Sequence, residues 1–291
     1  MAAVSMDLVK QLRDQTQVGM MDCKKALEEA NGDLTLAVEI LRKKGAAVAA
    51  KRAGNEATKG RIEAFISADN KTGALVEVGC ETDFSANTTT MEAFANMTAE
   101  IVANNNPATV QDLMAIKNPA SSLTLQESLD ELIAKICEKI QINQFARFAI
   151  TDNGLVNAYI HPGSTVGIMI ELQTATPATD VEALKALAKD LCMQIAVTNP
   201  LCIAPSQLDP VVLEKERSIA REQLATSNKP AAIIEKIVEG KINKFYEEVC
   251  LLNQLFIKND KLSVKAHVEE VAKKVGTSIT VTQFKRCAIG R

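Results

Sequence analysis

The sequence predicts an α+β fold in three parts: a small three-helix N-terminal module, a duplicated α+β core of two antiparallel-sheet halves, and an inserted antiparallel helical hairpin. Three observations lead to this prediction. Helix-breaking residues divide the first 45 residues into three short helical segments. A strand-like stretch that begins at residue 60 recurs 94 positions later, at residue 154. Two charged helical segments follow each other in the last third of the chain. The expected division is a module at 1–45, a linker at 46–59, core halves at 60–150 and 151–291, and a hairpin at 209–249.

The N-terminal helices are indicated by apolar spacing and by the residues that interrupt it. An apolar stripe that includes Leu12 marks the first helix, and residues 21–30 form the second. Asp33 caps the third helix, which we expect to end at Gly45. Residues 46–59 have no apolar periodicity and contain several breakers, which indicates a linker. Because so short a module has a marginal core, its apolar residues either fill that core alone or also dock on a larger partner.

The core is predicted from an internal repeat. Sliding the chain by 94 positions aligns residues 60–78 with residues 154–172 without a gap, and Gly73 and Glu77 coincide with Gly167 and Glu171. Each copy has β-branched and aromatic residues on both sides of a glycine-containing turn, and a helical stretch follows each copy. Two copies at this period indicate a duplicated domain, not a solenoid.

The hairpin is predicted from two charged helical segments in the second half. Asp209 and Pro210 form a capped helix start, and residues 231–249 form the second helix, with the breakers Ser227 and Pro230 between them. Two helices of about 20 residues imply an antiparallel hairpin about 30 Å long. Its narrow apolar seam is typical of a solvated arm that touches a partner, and a purely structural hairpin is the alternative.

Composition excludes several classes of function. The apolar fraction of 47% and the charged fraction of 24% are ordinary for a globular protein. Trp is absent and only two Tyr and eight Phe are present, which argues against base stacking on aromatic platforms. The net charge of −3 provides no global basic field for nucleic acid. Charge is uneven, since residues 61–200 carry 8 basic and 17 acidic side chains, and this asymmetry favours a protein partner.

The chemistry-bearing residues are scattered. The seven cysteines form no C-x-x-C pair, so we expect reduced, mostly buried thiols and neither a zinc site nor a disulfide framework. The two histidines, His161 and His267, lie at no ligand spacing, and no phosphate-binding glycine motif is present. We therefore expect no catalytic residue, no metal and no cofactor, and hence no enzyme. Neither a signal peptide nor a membrane span is indicated, which predicts a cytoplasmic protein.

One aromatic residue lies outside the buried pattern. The strand that includes Val78 leads into a polar stretch in which Phe84 follows Thr82 and Asp83. In one interpretation, Thr82 or Asp83 caps the next helix and Phe84 staples that helix to the sheet. In the other, Asp83 and Phe84 form an exposed wedge for a partner protein.

Several segments of the chain closely resemble one known family. They are residues 9–16, 19–33, 41–45 and 76–84, the last reading Val-Glu-Val-Gly-Cys-Glu-Thr-Asp-Phe, together with 159–161, Gly167 and 234–245. In these segments the chain resembles the bacterial elongation factor Ts family, and the resemblance extends over nearly the whole sequence. Ser85 stands where that family usually has valine.

The resemblance implies a function, a partner and a set of contact residues. The family exchanges guanine nucleotide on elongation factor Tu, in its GDP-bound and nucleotide-free forms, and needs neither nucleic acid nor a membrane. By this resemblance Thr82, Asp83, Phe84 and Ser85 dislodge Mg²⁺ from the nucleotide of elongation factor Tu. The same resemblance makes residues 1–45 a ubiquitin-associated-like docking module and 209–249 a coiled-coil arm. Further partner contacts implied in the same way are Leu12, Met20, Met21 and His161.

Two rival functions belong to other classes. An RNA-binding or ribosome-docking protein would use the basic run of Arg42, Lys43 and Lys44 and the basic C-terminal third, which carries 15 basic and 11 acidic side chains at residues 201–291. A metabolic enzyme is supported by no motif in the sequence.

Overall fold

The computed structural model describes residues 4–119, 121–224 and 230–290. The helices are α1 (Met6–Thr16), α2 (Met20–Glu29), α3 (Leu34–Arg52), α4 (Asp83–Ala86), α5 (Thr89–Asn105), α6 (Val110–Ala115), α7 (Leu125–Ile136), α8 (Val181–Thr198), α9 (Pro210–Glu222), α10 (Ala231–Val249) and α11 (Val264–Val275). The strands are β1 (Lys59–Ile66), β2 (Thr72–Cys80), β3 (Ile140–Ala149), β4 (Gly154–Ile160), β5 (Val166–Thr174), β6 (Leu255–Phe256), β7 (Asn259–Ser263) and β8 (Ile279–Ala288). The predicted α+β class is confirmed.

The first three helices form a small module around a common apolar core. The side chain of Ser5 caps α1 by accepting a hydrogen bond from the Leu8 amide, and Asp33 caps α3 in the same way at the Leu36 amide. Their shared core is made of Val9, Leu12, Val18, Cys23, Ala26, Leu27, Ala30, Ala37 and Leu41, together with Ala134 of α7. The module therefore packs directly against the rest of the molecule.

The expectation that the third helix ends at Gly45 is wrong, since α3 continues to Arg52. Residues 46–50 are alanines and one valine, and alanine has the highest helix propensity of all residues. Gly45 allows α3 and α7 to pack closely, because a Cβ atom at this position would lie 2.1 Å from the Asp130 carbonyl oxygen of α7. Residues 46–52 thus belong to a helix instead of the linker expected at 46–59.

The duplication is visible in strand register. In each half the first two strands pair with the same offset, as Arg61 opposite Val78 in one and Leu155 opposite Leu172 in the other. The third strand of each half, β3 or β8, adds to the far edge of β2 or β5. Both middle strands bulge directly after the repeated glutamate, Glu77 or Glu171.

The two sheets face each other across a shared apolar layer. This layer consists of Ile62, Leu75, Phe148, Ile150, Val156, Met169 and Cys287. The side chain of Ile62 packs directly on the backbone of Gly167, where a Cβ atom would lie 2.4 Å from the Cγ2 atom of Ile62. Helix α5 packs on the first half and helix α8 on the second, each over its own apolar cluster. Because successive side chains of a strand point to opposite faces, each strand serves both layers.

Helices α9 and α10 form the expected antiparallel hairpin. Arg217 pairs with Glu239 at 3.4 Å and Arg221 with Glu235 at 3.1 Å, so residue numbers rise on one helix as they fall on the other. Ala220, Val238 and Ile242 fill the seam between them. Helix α9 has 13 residues, about 20 Å, and is shorter than expected. The predicted breaker Ser227 lies outside the described residues.

Six of the seven cysteines are buried and all are free thiols, as the sequence predicts; Cys137 is exposed. The thiols of Cys202 and Cys250 lie 3.5 Å apart without a covalent bond. Burial raises the pKa of Cys250 to about 12. Across 4–119, 121–224 and 230–290, no helix is long and apolar enough to cross a membrane.

Candidate functional site

A short turn after β2, residues 82–86, carries the residues that the sequence singled out. We call it the Phe84 turn. The Thr82 hydroxyl oxygen accepts a hydrogen bond from the Ser85 amide at 3.3 Å and so caps α4. Thr82 is itself held by Glu138, whose carboxylate accepts from the Thr82 amide at 3.0 Å and from its hydroxyl at 2.7 Å. Burial raises the pKa of Cys80 to about 11, and its neutral thiol donates to the Thr82 carbonyl at 3.1 Å. The turn is therefore anchored on both sides of Thr82.

Exposure divides this turn into an outer and an inner pair. Phe84 is 86% exposed and Asp83 is also exposed, whereas Ser85 and Ala86 are buried. The interpretation that Phe84 staples the helix to the sheet is therefore wrong. The expectation that Ser85 meets a partner directly is also corrected, because its side chain lies inside the fold. A large aromatic side chain exposed on an anchored turn is available to a partner, and aromatic residues are enriched at protein interfaces.

A second anchor lies immediately before the turn, at Glu81. Its carboxylate accepts hydrogen bonds from the Lys139 amide at 2.6 Å, from Arg52 at 2.9 Å and from Asn55 at 3.0 Å. These bonds, first of all the one from the Lys139 amide, lower the pKa of Glu81 below its ordinary value. Glu81 thus ties the end of α3 and the start of β3 to the base of the Phe84 turn.

His161 lies in the turn between β4 and β5 and is exposed. Its Nδ1 atom is 3.1 Å from the Tyr159 hydroxyl oxygen. The carbonyl oxygen of Ser164 in the same turn accepts a hydrogen bond from the Ile62 amide at 2.7 Å. This bond fixes the His161 turn to the free edge of β1, so a turn of the second half is held against the first half.

A buried ion pair lies between the Phe84 turn and the His161 turn. Arg61 donates from Nη1 to the Ala86 carbonyl oxygen at 2.9 Å, and from Nε and Nη2 to Glu63 at 2.9 and 2.6 Å. The Ser164 hydroxyl lies 3.4 Å from the same Glu63 oxygen. Sequence reasoning missed both charged residues. The signal was present in the repeat, because Arg61 aligns with the apolar Leu155.

The three predicted contact residues of the N-terminal module differ in their exposure to solvent. Met21 is 63% exposed and Met20 is half-buried, so both present surface to a partner. Leu12 has no exposed surface and lies in the module core, which corrects the expectation that it is a direct contact. Gln17, from the same module, lines a surface cleft together with Phe84. The module and the Phe84 turn therefore border one continuous surface.

The basic run that supported RNA binding is largely paired. Arg42 lies 3.1 Å from Glu131 and 3.7 Å from Glu127, both on α7. Lys44 pairs with Asp22. Two of the three basic side chains therefore hold the protein together instead of facing a phosphate backbone.

Comparison with known proteins identifies the family of the chain. The family model described as Elongation factor TS matches residues 81–291. Elongation factor Ts of Clostridium perfringens (strain SM101 / Type A) is 46% identical over 280 residues, which cover 96% of this chain and 90% of that protein. Elongation factor Ts of Prosthecochloris aestuarii (strain DSM 271 / SK 413) is 41% identical, and the match covers 100% of both chains. The chain belongs to the elongation factor Ts family.

Membership of the elongation factor Ts family confirms the resemblance seen in the sequence and gives the chain a role in protein biosynthesis as a translation elongation factor. The segment matched by the family model begins at Glu81 and includes Phe84 and His161. The longer pairwise match also covers the N-terminal module with Met20 and Met21.

Proposed function

We propose that the chain is the guanine-nucleotide exchange factor of elongation factor Tu. In this function it binds the GDP-bound GTPase, promotes release of GDP and leaves the nucleotide-free form ready to take up GTP. The observation that carries the proposal is Phe84, an aromatic side chain that is 86% exposed on a turn anchored at Thr82 in a member of the elongation factor Ts family.

The exchange follows from the linkage of two ligands on one protein. If the chain binds nucleotide-free GTPase more tightly than GDP-bound GTPase, then GDP must bind more weakly, by the same factor, when the chain is present. This needs no covalent step, so the chain acts as a binding protein and not as an enzyme.

The outer pair of the turn, Asp83 and Phe84, supplies the wedge in this proposal. When these side chains enter the GTPase they displace the Mg²⁺ ion, which is among the largest local charges at the nucleotide phosphates. Thr82 and Ser85 hold the turn in shape without touching the GTPase. The hydrogen bonds of Thr82 and the burial of Ser85 support this division of roles.

Two further surfaces support binding of the same partner. Met20 and Met21 present apolar surface on the N-terminal module, and methionine adapts readily to a partner surface. His161 projects from a turn that is held on β1. The hairpin of α9 and α10 is proposed as a third contact, since Val211 at the start of α9 is exposed. Because the partner acts in translation, we also propose that the chain works in the cytoplasm.

Release of a fluorescent GDP analogue from elongation factor Tu, followed by stopped flow, tests this function. The proposal expects the release rate to rise with the concentration of the chain and to reach a plateau. An unchanged release rate at saturating concentration would overturn it. The RNA-binding alternative would be favoured if the purified chain retained RNA in a salt-dependent way without any effect on release, although the pairing of Arg42 argues against this.

A further inference from the structure

We propose that Arg61 is a positioning residue that holds the Phe84 turn and the His161 turn in one fixed arrangement. This inference rests on the proposed exchange function, because it assigns the two turns to one rigid contact surface. Arg61 touches no partner in this account. It acts through the turn that carries Phe84.

The guanidinium group of Arg61 is held tightly from two directions. Only 7% of Arg61 is exposed. One arm donates to the carbonyl oxygen of Ala86, the residue that ends α4 two positions after Phe84. The other arm donates twice to Glu63, and the Glu92 carboxylate lies 3.7 Å away. Because guanidinium is planar and presents its donors in a fixed fork, it fixes the distance between Ala86 and Glu63.

The second half of the connection runs from Glu63 to His161. The Ser164 hydroxyl reaches Glu63 at 3.4 Å, and the Ser164 carbonyl oxygen accepts from the Ile62 amide. The Ser164 amide in turn donates to the His161 carbonyl oxygen at 2.9 Å. A continuous series of hydrogen bonds therefore joins the Phe84 turn of the first half to the His161 turn of the second half.

The internal repeat shows that the fold itself does not require Arg61. The matching position is Leu155, which is 2% exposed in the apolar core of the second half, and Glu63 is matched by Asn157. Both halves form the same strand pairs, although only the first contains the ion pair. Apolar residues usually replace a buried ion pair without loss of stability. The exposed Phe84 lies in the same half as the ion pair. The second half has no aromatic residue at the matching position, since Ala178 stands 94 positions after Phe84.

Fluorescence of a single tryptophan tests the positioning role without the GTPase. The chain has no Trp, so Phe84→Trp places the only such reporter on the turn. In this background, Arg61→Leu with Glu63→Asn copies the residues of the second half. We expect a lower fluorescence anisotropy at position 84, with unchanged far-UV circular dichroism. An unchanged anisotropy in the folded double variant would overturn the inference.

Two further variants keep this test decisive. Arg147→Leu removes another arginine–carbonyl bond of the same half, to Ala103, and should leave the anisotropy unchanged. Arg61→Lys retains the positive charge beside Glu63 but lacks the planar fork, and it should lower the anisotropy by a smaller amount. If the double variant does not fold, Arg61→Lys takes its place in the test. An anisotropy equal to that of the Phe84→Trp protein would then overturn the inference.

Nucleotide release measures the consequence for exchange. With Phe84 present, Arg61→Leu/Glu63→Asn should lower the maximal release rate about tenfold or more. In a Phe84→Ala background the same pair of changes should have little further effect, since residues that act through one another are not additive. Full additivity would contradict the positioning role. If the wild-type chain fails to accelerate release, the exchange function is lost, but the anisotropy at position 84 still decides the role of Arg61.

Discussion

Thr82, Asp83, Phe84 and Ser85 are adjacent in the chain but differ in their surroundings. Thr82 and Ser85 carry the hydrogen bonds that shape the turn, while the outer pair, Asp83 and Phe84, faces solvent. The sequence identified Phe84 as a residue outside the alternating pattern, but a stapled and an exposed phenylalanine have the same local sequence. The exposure of Phe84 depends on how β2, α4 and Glu138 are placed together, and that placement is a tertiary property.

The hydroxyl of Thr82 provides a test of the anchoring. Thr82→Val removes the helix cap and one of the two bonds to Glu138, so the free energy of unfolding should fall by about 1 kcal/mol. Acceleration of nucleotide release should fall as well. Thr82→Ser keeps the hydroxyl and serves as the control in urea unfolding and in release. Equal stability of the valine and serine variants would contradict the anchoring role.

Leu12 and Met21 should respond in opposite ways to truncation. Leu12→Ala opens a cavity in the module core and should lower the stability of the module by about 2–5 kcal/mol. Met21→Ala removes exposed surface, so its unfolding free energy should stay within about 0.5 kcal/mol of the wild type while binding of the GTPase weakens. Thermal unfolding and titration with the GTPase measure the two effects. Loss of stability in Met21→Ala would contradict this assignment.

Leu12 shows the limit of the partner contacts that the family resemblance implies. An apolar stripe on a short helix looks the same whether it faces its own core or a partner. The core of α1, α2 and α3 forms only when all three helices are assembled, so the choice between the two could not be made from residue spacing.

At the scale of elements, the repeated strands were predictable and the end of α3 was not. Identical glycines and glutamates at a spacing of 94 reflect the same pairing and the same bulge in both halves. The sequence predicts a helix end at Gly45 because glycine commonly stops helices. Its actual use is the close approach of α7, which depends on a residue 85 positions away, Asp130.

The attachment of α3 to the Phe84 turn should depend on pH. Glu81 has a pKa below its ordinary value, so its ionised form stabilises the fold above that ordinary value. This stabilisation is lost as the pH falls through the lower value of the folded protein. The thermal midpoint should therefore fall as the pH is lowered from the ordinary glutamate pKa through the lower value of the folded protein, and Glu81→Gln should reduce that fall. Glu56→Gln, at an exposed site, should keep the wild-type dependence. Identical profiles for the two variants would contradict the role of Glu81.

At the scale of the whole molecule, the proposed exchange function assigns partner contacts to exposed residues of three segments. The N-terminal module packs against α7 and shares a cleft with Phe84, while the His161 turn of the second half is held on β1. The acidic middle of the chain, evident from the sequence, contains the first half of the core and the first two strands of the second half, which carry these turns. Sequence could indicate the parts and their family, but the connection through Arg61 appears only when both halves are assembled.

The most direct measurement compares release of fluorescent GDP from elongation factor Tu in the presence of wild-type chain, Phe84→Ala and Val197→Ala. Val197 is 73% exposed at the end of α8, in the half without the wedge, and matches Phe84 as an exposed apolar side chain. We expect Phe84→Ala to lower the maximal release rate at least about tenfold, equivalent to about 1.4 kcal/mol of lost coupling, while Val197→Ala retains the wild-type rate. Equal rates for wild type and Phe84→Ala would contradict the assignment of the Phe84 turn as the element that drives exchange.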